Sequence, residues 1–152
     1  MTKQQIELVQ SSFQLVQPIL EPAAAMFYDR LFELDPSLRA LFRTPKDEQA
    51  RKLAQTLAVV VAAIDRPDSI RGAVDALGRR HVGYNVRDEH YATVGAALLW
   101  TLEQGLGDAF TPEVRDAWSA VYGWLAYRMR SAAAQHTQAA MAPPQPLAAA
   151  DV

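Results

Sequence analysis

Proline placement constrains this chain more than any other feature. Pro18, Pro22, Pro36, Pro45, Pro67 and Pro112 stand between stretches whose apolar residues recur at helical spacing. Proline breaks a helix interior but is tolerated in a first turn, where its missing N–H has no intrahelical partner to lose. Thr2 with Gln5 reads as a capping box opening a helix over 3–17. Pro18 and Pro22 separate it from a second helix over 22–34. Asp35-Pro36 and Thr44-Pro45 each read as an N-cap followed by a first helical residue. The first pair opens a short helix, the second a long one to Asp65. Pro67 and Ser69 mark a boundary before a helix over 70–84. Asp88 caps another to Leu106, and Thr111-Pro112 opens the last, to Ala134. No stretch alternates as a strand would, and no internal repeat is present. The expectation is an all-α domain over residues 1–134 with about seven to eight helices. Residues 135–152, rich in Ala, Pro and Gln, read as a disordered tail.

Half of the 152 residues are apolar, enough for one domain with a sizeable core. The net charge of −2 provides no basic footprint, so nucleic acid is not an expected partner. Cysteine is absent, which excludes disulfides, thiolate metal sites and a cysteine nucleophile, and suits a reducing cytoplasm. The N-terminus lacks a signal pattern, and the longest uncharged apolar run, Leu57 to Ile64, falls far short of the roughly 18 residues of a membrane span. A cytoplasmic protein without membrane contact is expected.

Helical periodicity then sorts the polar residues. Gln49, Leu53, Leu57, Val60 and Ile64 share one stripe, and Ile70, Val74, Leu77 and His81 share another. Ala24, Phe27, Tyr28 and Leu31 form the inward face of the second helix. Tyr28, Gln49 and His81 therefore point inward from three different helices. A buried polar group without a partner costs about 1–3 kcal/mol, so something between these helices should satisfy them. A bare metal ion is a poor candidate. His81, His90 and His136 are the only histidines, and no carboxylate pair stands at ligand spacing beside His81. The glycines form no phosphate-binding fingerprint. A haem needs only one strong protein ligand in an otherwise apolar pocket, and one inward histidine supplies it.

Five segments, in order, carry a resemblance. Phe27-Tyr28-Asp29-Arg30-Leu31-Phe32, with Asp35-Pro36 and Leu41-Phe42, resembles the second and third helices of bacterial haemoglobins. Gln49-Ala50-Arg51-Lys52-Leu53 resembles their distal helix, and Leu77-Gly78-Arg79-Arg80-His81 their proximal one. Asp116-Ala117-Trp118 with Val121-Tyr122-Gly123 resembles their last helix. The chain is thus similar to globins, notably the haemoglobin domain of flavohaemoglobins and single-domain relatives of the Hell's Gate globin and neuroglobin-like type.

The resemblance implies a globin fold with one b-type haem. His81 would be the iron ligand and Phe42 the ring stacked on the porphyrin. Tyr28, Gln49 and Leu53 would line the gas-binding side, with Tyr28 and Gln49 donating hydrogen bonds to the negative charge a held dioxygen acquires. Lys52, Arg79 and Arg80 would face the propionates, and Leu77, Val86 and Tyr91 complete the haem-binding set. The implied function is reversible binding of dioxygen, with nitric oxide and carbon monoxide as further ligands. The alternative is a nitric oxide dioxygenase, in which Tyr28 and Gln49 would be the catalytic residues. A gas-sensing or signalling module is the third reading. Two departures from flavohaemoglobins matter. No flavin-binding segment lies within these 152 residues, so an external reductase is expected. The glutamate that bonds their proximal histidine falls at about Ala133 here, which leaves the Leu77 carbonyl as the acceptor for His81 and Tyr91 as a core aromatic rather than part of a relay.

Overall fold

The structure, a computed structural model, describes residues 1–42, 44–83 and 86–141, with side chains over 1–42, 44–81 and 86–135. Six α-helices account for most of it: α1 (Lys3–Val16), α2 (Leu20–Leu34), α3 (Lys46–Ala63), α4 (Pro67–Gly83), α5 (Asp88–Leu106) and α6 (Pro112–Met141). Short 3-10 turns over Gln17–Ile19, Pro36–Leu41 and Gly107–Ala109 connect them, and no strand occurs among the described residues. The all-α expectation holds.

Most boundaries follow the local signals. Thr2 and Gln5 form the reciprocal capping box at the start of α1. Asp35 caps the 3-10 turn through Ser37. The Thr111 hydroxyl accepts from the Val114 N–H, with Pro112 as the first residue of α6. Gly107 leaves α5 at a φ of 55°, a left-handed conformation open to glycine at little steric cost.

Five boundaries differ from the sequence reading. The cap of α5 is Arg87, and Asp88 is its first helical residue rather than its cap. Helix α2 begins at Leu20 rather than at Pro22, which lies within its first turn. Helix α4 begins at Pro67 itself, where an N-terminal proline loses no hydrogen bond, rather than at residue 70. Helix α6 runs to Met141, seven residues past Ala134. Of the expected tail, 135–141 are therefore helical, and 142–152 lie outside the described residues. At Thr44-Pro45 the cap is Pro45, with extended backbone and no capping side chain.

Helix α4 packs along α6, α2 packs on α5 and α3, and α1 packs on α6. Trp118 of α6 is the largest fully buried side chain. Its Nε1 donates to Ser12 Oγ at 2.9 Å, and that hydroxyl donates to the Leu8 carbonyl at 2.6 Å. Around it gather Val9, Phe13, Ile64, Val74 and Val121. A second cluster holds Phe27, Tyr28, Leu31 and Leu38 with Ala50 and Ala97. Gly78 lets α4 and α6 meet at backbone distance: a Cβ there would stand 2.4 Å from the Met129 carbonyl oxygen. Gly95 likewise makes room for the Tyr122 ring, 2.9 Å from where its Cβ would lie.

Candidate functional site

A cavity of about 800 Å³ opens where the helices converge. From α2 it receives Phe27, Tyr28 and Leu31, and from the turn before α3 it receives Phe42 and Thr44. Helix α3 contributes Gln49, Lys52, Leu53 and Leu57, and α4 contributes Leu77, Arg80 and His81. Val86, His90, Tyr91 and Val94 close another wall, and Tyr122, Leu125 and Met129 of α6 another. The volume is that of a typical small-molecule or cofactor site. Tyr28, Phe42, Gln49, Lys52, Leu53, Leu77, Arg80, His81, Val86 and Tyr91, all singled out from sequence, meet on this one cavity. Arg79 does not. It is exposed, because on an α-helix it sits about 200° around the axis from His81. The side chain of His136 lies outside the described residues.

Among the described residues, two histidines line the cavity, and their hydrogen bonds set them apart. His81 Nδ1 lies 2.7 Å from the Leu77 carbonyl oxygen, which can only accept. The proton of the neutral ring is therefore on Nδ1, and Nε2 bears the lone pair. His90 Nδ1 lies 2.9 Å from the Arg87 backbone nitrogen, which can only donate. Its neutral ring therefore carries the proton on Nε2 and offers that nitrogen as a donor, not as a metal ligand. Burial lowers the His81 pKa below the ordinary imidazole value, against the opposing Leu77 hydrogen bond and with help from the Arg80 charge. That shift favours the neutral ring. The Leu77 acceptor expected from the sequence is the one found.

Across the cavity sits an aromatic cluster. Tyr28 meets Phe27 and Phe42 edge-on, at ring-centroid distances of 5.1 and 5.3 Å, and Phe32 packs on Phe42 at 5.5 Å. The Tyr28 side chain is buried at 6% exposure, and its hydroxyl makes no hydrogen bond to any described residue. Desolvation pushes its pKa up to about 12, so the phenol stays protonated and a donor. Gln49 is half-buried, and its Nε2 donates to the Thr44 hydroxyl.

On the α6 side, the Tyr122 hydroxyl donates to the Tyr91 carbonyl at 2.6 Å, bracing α5 against α6. Burial raises the pKa of Tyr122 well above the usual phenol value, with Tyr91 adding to the shift. Three contributors escaped the sequence reading. Thr44 was assigned to a cap, Gly78 was read as part of the proximal-helix segment with no packing role, and His90 had no signal for its place on the cavity. Their roles depend on contacts between elements.

The globin family model matches residues 25–129, an interval that holds the cavity wall from Phe27 to Met129. The chain belongs to the globin family. Among curated relatives, this globin is 35% identical over 129 residues to a flavohemoprotein of Deinococcus radiodurans, covering 83% of this chain and 32% of the relative. To a flavohemoprotein of Bordetella pertussis it is 38% identical over 123 residues, covering 78% and 30%. The chain thus spans about a third of the length of these relatives. Among solved structures, one is an engineered carbene transferase derived from a Rhodothermus marinus protein provisionally named a nitric oxide dioxygenase. It superposes with a TM-score of 0.84 at 28% identity over 93% of this chain and 99% of its own. A bacterial globin of Campylobacter jejuni gives 0.80 at 26% identity, over 90% and 99%. Globins are a haem-binding family, and the residues present fit that group. An apolar cavity of cofactor size is lined by His81, by the buried Tyr28 phenol, which has no hydrogen-bond partner among the described residues, and by the cationic Arg80 and Lys52.

Proposed function

We propose that this globin holds one b-type haem and binds dioxygen reversibly. His81 holds the iron through Nε2, and the Leu77 carbonyl fixes the plane and tautomer of its ring. Phe42 packs against the porphyrin, with Leu53, Leu77, Val86 and Tyr91 completing its apolar surroundings. Arg80 and Lys52 receive the propionates. When bound, the haem would supply a ferrous iron able to take up a diatomic gas. Everything else is the work of the chain. The packed helices exclude water, Tyr28 donates its O–H toward the charge the gas acquires, and Gln49 presents its amide beside it.

The observation that carries this reading is the Tyr28 phenol: buried, locked among three aromatic rings, protonated, and without a partner among the described residues. A hydrogen bond to a charged acceptor contributes about 1.5–3 kcal/mol, which slows gas escape roughly tenfold to a hundredfold. Laser photolysis and stopped-flow on Tyr28→Phe and Gln49→Leu test it. Dioxygen dissociation should quicken in both, more in Tyr28→Phe because a packed ring is held more rigidly than an amide. Carbon monoxide, which acquires less charge, should change much less. Equal changes for the two gases would mean that the residues control access, and would sink the reading.

A second reading, nitric oxide dioxygenation with a separate reductase, is favoured by the likeness to the Rhodothermus marinus protein. It uses the same residues, with Tyr28 and Gln49 holding dioxygen while nitric oxide enters.

A further inference from the structure

Thr-Pro occurs twice at a helix start, and the two threonines do different things. Thr111 caps α6, its hydroxyl 3.2 Å from the Val114 N–H. Thr44 caps nothing. Pro45 occupies the cap of α3, and the Gln49 N–H there bonds back to the Pro45 carbonyl at 3.0 Å. The Thr44 hydroxyl, displaced by one position from capping geometry, instead accepts from Nε2 of the Gln49 side chain. Both residues are half-buried and both line the cavity.

That bond constrains a flexible donor that lines the pocket. A glutamine side chain has three rotatable bonds, and ordering it costs free energy unless something already holds it. With Nε2 tied to Thr44, the amide plane is fixed, and a single N–H remains to serve a ligand. A half-turn of the amide would not release it, since the Thr44 hydroxyl can also donate to Oε1. The hydroxyl therefore pins the amide in either orientation, and a side chain of the same shape without the hydroxyl pins it in neither.

We infer that Thr44 is a positioning residue: its hydroxyl latches the Gln49 amide and sets how strongly Gln49 holds a gas in the cavity. This rests on the reading of Gln49 as a gas-facing residue. Nothing in the local sequence distinguishes Thr44 from an ordinary cap, and only the backbone conformation of Pro45 reveals the difference.

The test uses the haem-loaded chain with Thr44→Val, Thr44→Ala, Thr44→Ser, Gln49→Leu and the Thr44→Val/Gln49→Leu pair. The readouts are the dioxygen dissociation rate and the infrared stretch of bound carbon monoxide, which reports the field from nearby donors. Thr44→Val and Thr44→Ala should change the dissociation rate roughly two- to tenfold, the range of one ordinary hydrogen bond, and should shift or broaden the stretch. Thr44→Ser should restore both, and Thr44→Val should add nothing once Gln49 is leucine. If Gln49→Leu changes both readouts while Thr44→Val and Thr44→Ala change neither, the latch is refuted and the gas-facing role of Gln49 stands. An effect of Thr44→Val that persists beside Gln49→Leu refutes it too, because Thr44 would then act directly. If Gln49→Leu changes neither readout, the role of Gln49 and the latch fall together.

Discussion

Gly78 offers the sharpest test of how this fold holds its pocket. A methyl group at that position would lie 2.4 Å from the Met129 carbonyl oxygen, 2.7 Å from its Cα and 2.9 Å from its carbonyl carbon. All three are backbone atoms of α6, and no rotamer change can move them. Ordinary contact begins near 3.4 Å, so Gly78→Ala must push α4 and α6 apart by about 1 Å at their crossing. Overpacking of that kind costs about 1–3 kcal/mol, and a rigid neighbour puts the cost at the upper end. Alanine returns about 1 kcal/mol of helix propensity. The net expectation is a loss of about 1–2 kcal/mol, or roughly 2–8 °C in melting temperature for a domain of this size. Gly72 is the control, in the same helix with nothing within 4 Å of its virtual Cβ. Gly72→Ala should gain the propensity without a clash and stabilise by about 0.5–1 kcal/mol. Urea unfolding of the two variants, with and without haem, makes the comparison. Because His81 stands one turn beyond Gly78, Gly78→Ala should also lose haem faster to an excess of an apo-haem acceptor, while Gly72→Ala should not. Equal stability and equal haem retention in the two variants would refute the argument that the α4–α6 approach positions the histidine.

The remaining expectations follow from the site. His81→Ala should lose haem or the optical signature of histidine ligation, whereas His90→Ala should keep it, since His90 Nδ1 is taken up by the Arg87 backbone N–H and its ring proton is on Nε2; the absorption spectrum decides. The Tyr28 phenol, raised to about 12, donates as long as it is protonated, so dioxygen dissociation should stay flat from neutral pH through about pH 10, the value at which an ordinary phenol is half ionised. A rise in the rate centred near pH 10 would contradict that. A protein of these 152 residues, oxygenated and given nitric oxide, should form about one equivalent of nitrate and stop in the ferric state when only a nicotinamide cofactor is present; an added flavin reductase should restore turnover, as nitrate and haem spectra would show. Gly95→Ala should destabilise less than Gly78→Ala despite the 2.9 Å contact, because the Tyr122 ring can shift where a backbone cannot; urea melts compare them.

Much of this protein is legible one segment at a time. Capping boxes, Asp-Pro and Thr-Pro pairs and the 3.6-residue stripes involve atoms a few residues apart, so the sequence alone determines them. It places Tyr28, Gln49 and His81 on the inward faces of three helices, and even the Leu77 acceptor of His81 is four residues away on the same helix. The tertiary structure decides what those faces meet. The sequence cannot show that Gly78 must be small, because the reason is a carbonyl 51 residues further on. Nor can it show that Tyr122 braces Tyr91 across 31 residues, or that His90 joins His81 on one cavity while Arg79, two residues from His81, does not. Thr44 lies between these cases. Its partner is only five residues away, yet the cap it was expected to form depends on where α3 begins. That start falls at Lys46, one residue later than the Thr-Pro pair suggests. Local chemistry chooses the helices and their faces, whereas helix crossings, which depend on the shape of distant side chains and the absence of a Cβ at particular points, choose the site.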